Sequence, residues 1–380
     1  VDDNSNAYDG SAYDIKGSSH WWHCASSQGD YVVGWYAWTG SENEASAWLF
    51  EEVPSVTEAA ITAARDEFAT ISGAMKNASA YDKALKTFFA DEACTELQGT
   101  YAAMGDDELR SALAHAGLPA ELQEMAVKVK NDGWADHEER FRVRDYKPYS
   151  NPVNWQQYTK QNYQSWMNQP TGIGTQPRSV LYVMVDGDVP KNATLYINGY
   201  ASGWTGSGTE GTQLHKGLNV VLTANPDEML YVFYTADTWH GGAKDRLLSE
   251  FPDIRIHIEG GTVNGFWSKG DTPDDWRWYE RNAKLTRFLL VGEYCIWNMP
   301  GEYAFRHLKA DGVAKSMAMY DWLIKWELAM QGLITDYDDV EYGTTITSNE
   351  TMTFSSRGTS SVEPAFAGAV LAAKEGVVKS

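Results

Sequence analysis

Eight histidines are the residues of this chain best suited to metal or acid–base chemistry, and their spacing argues against both. A peptide-cleaving zinc site of the H-E-x-x-H kind needs two imidazoles one helical turn apart, with a glutamate between them as general base. His20, His23, His115, His137, His215, His240, His257 and His307 never begin that sequence. His137 is followed by Glu138, but Phe141 stands where the second imidazole is required. His20 and His23 are close enough to suggest a metal pair, yet no third ligand is near them, and packing or surface roles account for both. There is no G-x-S-x-G elbow. Carboxylates such as Asp274 with Asp275, or Asp338 with Asp339, are sequence neighbours, whereas glycoside hydrolysis uses two carboxyls on opposite sides of one bond. No catalytic residue and no metal ligand is assigned.

Other patterns are weaker. GSGTEG (residues 206–211) matches a dinucleotide-binding glycine motif in form, but that motif opens a helix, and the following residues 213–222 read as a strand. Asp186 and Asp188 flank Gly187 as a calcium loop would begin, although two carboxylates in a turn more simply cap and solvate it. Trp204, Trp239, His240 and Trp267 fall in segments between expected strands. Aromatic rings there suit stacking on sugars, so these four are candidate glycan-facing residues, with anchoring of loops onto the scaffold as the equal alternative.

The elements that would position such residues are legible. Runs at 179–185, 193–197, 218–222 and 229–234 are rich in β-branched and aromatic residues and bounded by Gly, Pro, Asn or Asp. Ile254, Ile256 and Ile258 alternate with Arg255 and His257, which puts the isoleucines on one buried face and His257 on the other. A β-sandwich is expected over 138–270. Before it, residues 55–137 read as a helical spacer: a Ser55/Glu58 capping box opening an alanine-rich helix with Ala60, Ile61, Ala64, Phe68 and Ile71 on one face, a second helix over 81–89, a third over 107–115 stopped by Gly117, and a fourth after Pro119. Residues 1–54 read as the end of a β-rich module that begins before Val1. After Gly270, residues 271–340 comprise a capped helix, a buried strand over 288–300 and an amphipathic helix over 317–333, and 341–380 are unplaced.

A chain of 380 residues suits about two or three domains. Its net charge of −21 opposes nucleic acid and anionic membranes as partners. Three scattered cysteines make neither a disulfide framework nor a cysteine-rich zinc site. The longest apolar run near the end, 365–373, is too short to span a bilayer. A first residue other than Met fits a processed or trimmed chain.

The ordered blocks RVRDYKPYS (142–150), NQPTGI (168–173), LHKGLNVVL (214–222), LYVFY (230–234), IHIEGGTVNGFW (256–267) and DDW (274–276) resemble the enhancin-like zinc metallopeptidases, secreted and surface enzymes of gut bacteria that cut mucin-type glycoproteins. The resemblance covers roughly the middle half of the chain, and ordered blocks are more specific than any single motif. It implies an α+β, multidomain fold: a β-rich N-terminal remnant, a small helical spacer, a central β-sandwich and the helical start of a zinc-binding catalytic part. It also implies zinc for the complete enzyme, a glycoprotein or glycan as partner, and a secreted or cell-surface location. With H-E-x-x-H absent, the expectation for this chain is no bound metal and no peptidase activity by itself. Two other readings stand beside it: a glycan-binding protein without catalysis, and a hydrolase using scattered carboxylates.

Overall fold

A strand that alternates apolar and polar residues buries one face, and one that is apolar throughout buries both. The computed structural model describes residues 57–150, 169–200, 211–223, 225–240, 243–244, 247–293 and 295–330, with the backbone of short strands within 2–49 and 352–364. The chain divides into two compact units, residues 1–68 and 69–380.

In the first unit, β1 (Asp2–Asp3), β2 (Ala12–Asp14) and β5 (Ala47–Leu49) form an antiparallel sheet in the order β1-β2-β5, and β3 (Trp21–Cys24) pairs with β4 (Val32–Trp35) as a hairpin. Strands β3, β4 and β5 fall within the Trp-containing runs HWWHC (20–24), YVVGWYAW (31–38) and ASAWLFEEV (45–53), which read as hairpin strands in the sequence; β1 and β2 do not. Helix α1 (Glu58–Phe88) starts here, with the Thr57 hydroxyl accepting the Ala60 N–H at 3.2 Å; Ser55 of the expected capping box lies outside the described residues. The two helices expected over 55–71 and 81–89 are this one helix. No proline interrupts it, and Gly73 weakens it without ending it. Nor is its expected apolar face buried: Phe68 is 71% exposed, and packing begins only at Ala74, Leu85 and Phe88.

The second unit continues with α2 (Gly99–Ala102), α3 (Asp106–His115), α4 (Ala120–Asn131) and α5 (Glu138–Arg142). Gly117, at φ +83°, ends α3, and Pro119 caps α4 where its missing N–H costs nothing. The strands follow in chain order: β6 (Val143–Tyr146), β7 (Tyr149–Ser150), β8 (Gln169–Gly174), β9 (Ser179–Asp186), β10 (Ala193–Tyr200), β11 (Thr212–Gln213), β12 (Gly217–Thr223), β13 (Met229–Ala236), β14 (Trp239–His240), β15 (Ala243–Lys244), β16 (Ile254–Glu259), β17 (Thr262–Val263) and β18 (Trp267–Ser268). One antiparallel sheet has the order β12-β9-β16-β6, and a second has β11-β10-β13-β8-β17 with β7 joined to β13. Strand β9 shows how they are covered. Leu181, Val183 and Val185 share a core with Ile256, Ile258, Ile197 and Phe233, while Tyr182 and Met184 pack into the helical cluster around Leu85, Leu109 and Leu122.

Helices thus cover the outer face of β16 as well, which corrects the expected exposure of His257: the three isoleucines and His257 are all fully buried, and only Arg255 is exposed. Beyond the two sheets come α6 (Pro273–Asn282), β19 (Arg287–Val291), β20 (Cys295–Pro300), α7 (Gly301–His307) and α8 (Val313–Met330). The single strand expected over 288–300 is the antiparallel hairpin β19–β20, which turns at Gly292. Helix α8 begins four residues before the expected 317, and Met317 and Ile324 bury in the common core while Leu323 stays exposed. Strands β21 (Met352–Ser356) and β22 (Val362–Pro364) extend this third sheet, β21 parallel to β20. The fold is mixed α+β, as the sequence predicts.

Gly265 lies at φ +69°, where a Cβ would sit 2.7 Å from the buried Tyr279 ring and 3.1 Å from Phe141. Gly265→Ala is expected to lower stability by about 2–4 kcal/mol, since neither ring has room to move. Gly270→Ala, also at positive φ but facing open space, should cost about 1–2 kcal/mol from backbone strain alone. Urea unfolding of both variants checks the difference.

Candidate functional site

Three of the blocks that carry the resemblance, 142–150, 256–267 and 274–276, contribute residues to one joint. Arg142, at the end of α5, is 7% exposed and donates through Nη1 to the Ile258 and Gly260 carbonyls, both at 3.0 Å. Its Nε donates to Glu138 at 2.7 Å, and Nη1 lies 3.7 Å from Glu259. Lys128 reaches Glu138 from α4 at 3.2 Å. Burial alone would raise the Glu138 carboxyl, but the Arg142 guanidinium, with Lys128, overrides it and holds it below its ordinary value. On β16, His257 Nδ1 lies 2.9 Å from the Ala93 carbonyl of the helical layer, and Nε2 lies 3.1 Å from Glu259. The Trp134 ring meets the imidazole edge-on at 5.6 Å between centroids.

The same joint reaches α6. Thr272 and Asp275 form the helix capping box. Asp275 also pairs with His137 Nε2 at 2.5 Å, and the imidazole stacks on Trp278 at 4.7 Å. Burial would raise the Asp275 carboxyl; the hydroxyl and amide of Thr272, then His137, bring it down to about 2. Arg140 donates to Asp271 at 2.8 Å, and the Tyr279 hydroxyl donates to the same carboxylate at 2.7 Å. Asn264 Oδ1 accepts from the backbone of Lys284 and Leu285 at 2.6 and 2.9 Å. These groups hold one another, and His137 Nδ1 is buried with no hydrogen-bond partner among the described residues. Among the described residues no three His, Cys, Asp or Glu side chains are grouped to hold a metal, so the donor set does not fit zinc.

Of the four candidate aromatic and histidine positions, Trp267 is the one whose side chain is described. Trp204 lies outside the described residues. Trp239 and His240 form β14, whose backbone pairs with β15, so they belong to a small hairpin instead of a loop. Trp267 corrects the expectation: it begins β18, pairs with β19 and is 2% exposed, leaving no ring face for a sugar. Asp188 is ion-paired with Lys216 at 3.7 Å. After the glycine pattern come β11 and β12, not a helix.

An open surface is found instead at the rim of the two sheets, in two adjoining clefts that share Thr175. One, of about 340 Å³, has Asn198, Gly199, Thr212, Asn225 and Glu228 on its walls. The other, of about 330 Å³, has Gln176, Asp227, Thr262 and Lys284. Thr175 locks the boundary: its N–H donates to the Glu228 carbonyl at 2.8 Å, and its hydroxyl accepts the Glu228 N–H at 3.1 Å. Asn225 donates to Glu228 Oε1 at 3.1 Å. Burial raises the Glu228 carboxyl above its ordinary value. Asp227 accepts the N–H and hydroxyl of Thr286 and is committed there. Such a lining can hydrogen-bond a polar ligand. Sequence reasoning missed Glu228 and Thr175 because they are 53 residues apart; the one signal is a glycine, Gly199, inside a strand otherwise filled with larger residues.

Two outcomes test the joint. Arg142→Met is expected to destabilise by about 3–5 kcal/mol, because Glu138 and Glu259 lose their buried cation; denaturant titration reads it. Asp275→Asn should lower the melting temperature at pH 7. The folded carboxyl is depressed, so its contribution is full above about pH 4 and fades as pH falls towards 2, and the gap between variant and native protein should close in acid.

No protein-family model matches the chain, and no curated protein matches it. Solved structures do. A metallopeptidase from Bacteroides thetaiotaomicron is 24% identical over 68% of this chain and 41% of that one, with a TM-score of 0.53. A metallopeptidase in complex with Tn antigen is 24% identical over 55% of this chain and 37% of that one, with a TM-score of 0.43. The catalytic module of the metalloprotease ZmpA from Clostridium perfringens is 17% identical over 50% and 41%, with a TM-score of 0.37. The chain spans less than half the length of the Bacteroides protein, and over 68% of its own residues it has the fold of part of that bacterial metallopeptidase.

Proposed function

We propose that this chain is a non-catalytic portion of a secreted or surface zinc metallopeptidase that acts on glycosylated, mucin-type proteins, and that it serves as scaffold and substrate-side surface. The observation that carries this reading is the joint: three of the ordered blocks that resemble the enhancin-like enzymes contribute Arg142, His257 and Asp275 to it, within a fold shared with part of a metallopeptidase. Those blocks build architecture. The H-E-x-x-H sequence is absent from the chain, and the described residues offer no zinc donor set, so no hydrolytic step is assigned to them. Zinc would belong to the complete enzyme.

A second reading, binding of a glycan or glycoprotein without catalysis, is favoured by the polar clefts around Thr175. Both readings assign the chain a glycoprotein partner, and they differ in what the whole protein does with it.

The purified chain, incubated with zinc and a mucin-type glycopeptide, is expected to leave the peptide intact, to bind it in calorimetry, and to retain no stoichiometric zinc after dialysis. Cleavage abolished by a chelator would overturn the non-catalytic assignment.

A further inference from the structure

We infer that the two clefts joined at Thr175 form one groove for an uncharged, hydroxyl-rich saccharide segment, with Glu228 and Asn225 as its central recognition pair. This rests on the glycoprotein reading above and locates where the sugar is held.

The dimensions come first. Cavities of about 340 and 330 Å³ lie at the lower end of the range for small-ligand sites, and two in series suit a short chain better than one compact molecule. The lining is the second argument. Amide and hydroxyl side chains line both clefts, with Gln176 donating to Thr262 at 2.7 Å and Asn225 to Glu228 at 3.1 Å; each amide keeps a second N–H, and such a lining of mixed donors and acceptors suits a ring of hydroxyls better than a single charged group. Lys284 is the one cation among the described lining residues, and a net charge of −21 repels an anionic ligand at long range. Apolar faces are also at hand for the C–H side of a sugar ring: Leu222 is 46% exposed on the first cleft, and Pro177 and Pro226 border the second.

The third argument is how Glu228 is held. Its backbone is tied to Thr175 from both sides, and Oε1 accepts from Asn225. Oε2 lies against Gly199, where a Cβ would come within 2.6 Å of it. A glycine inside a strand costs stability and marks a close approach, here of a carboxyl that is fixed at the mouth of a cleft. Burial raises this carboxyl, so it offers a ligand hydroxyl a donor as well as acceptors as pH falls towards its value.

The experiment is calorimetric titration of the whole chain with three probes: a mucin-type glycopeptide carrying a neutral disaccharide, the same peptide with that glycan sialylated, and the bare peptide. The native chain is expected to bind the neutral glycopeptide in preference to both others. Glu228→Ala and Gly199→Ala should each weaken that binding about tenfold or more, the loss of a charge-assisted hydrogen bond. Glu228→Ala leaves the backbone ties to Thr175 in place, so its circular dichroism and melting temperature should stay near native and keep the test clean if Gly199→Ala unfolds. Native-like binding by Glu228→Ala overturns the groove assignment while the glycoprotein reading stands. Preference for the sialylated probe overturns the uncharged class. Binding of no glycopeptide by the native chain overturns both the groove and the reading beneath it.

Discussion

The buried guanidinium of Arg142 is the constraint on which the rest of the second unit depends. Taking a cation out of water costs several kcal/mol, and only close, multiple partners offset it. Arg142 has them from two directions: Glu138 one turn earlier in α5, and the Ile258 and Gly260 carbonyls with the Glu259 carboxylate at the end of β16. The carbonyls are accessible because the chain turns sharply at Gly260 and Gly261, both at positive φ, where Cβ atoms would strike the Val180 carbonyl and the Ile173 side chain. A charge that must be met from two elements fixes how those elements meet. Through His257 and the Ala93 carbonyl the same network reaches the helical layer.

This explains why the most recognisable residues of the second unit are bound up in architecture. His257, Glu259, Asp275 and His137 are residue types that elsewhere ligate metals or move protons. Here each is consumed by a structural partner: His257 by a carbonyl and a carboxylate, Asp275 by a helix cap and an imidazole. Register supplies part of the reason. His257 lies opposite Met184 of β9 and Val143 of β6, so its side chain points at the helices and away from any open surface. A motif can therefore identify a fold through residues that are reactive in type and held by structural partners in place.

What was legible in the sequence follows the range of the interaction. Strands β9, β12, β13 and β16 were readable within a residue or two because alternation and turn residues are local. The outcome for Phe68, His257 and Trp267 was not, since each depends on what another element places beside it. Periodicity says that Phe68 belongs to an apolar face and cannot say whether anything covers it. Trp267 reads as a loop aromatic until β19, more than twenty residues later, pairs with it. His137 and Asp275 are 138 residues apart, and no local pattern joins them. Gly199 lies beyond the strand expected over 193–197, and it becomes a strand glycine only once β10 runs on to Tyr200.

The division of polar residues between joint and groove follows from the same energetics. Full charges are held where partners are close and water is excluded, since an unpaired ion there would be too costly to keep. Among the described residues the rim of the sheets is left with amides, hydroxyls, Lys284 and two carboxyls, Asp227 committed to Thr286 and Glu228 only partly covered. Such groups remain well solvated when no ligand is present and can exchange water for ligand hydroxyls at small cost, which is the condition for reversible recognition. The joint and the rim meet at Asn264, which accepts the Lys284 and Leu285 amides within the joint and also lines the second cleft, so the rigid network fixes one wall of the polar rim.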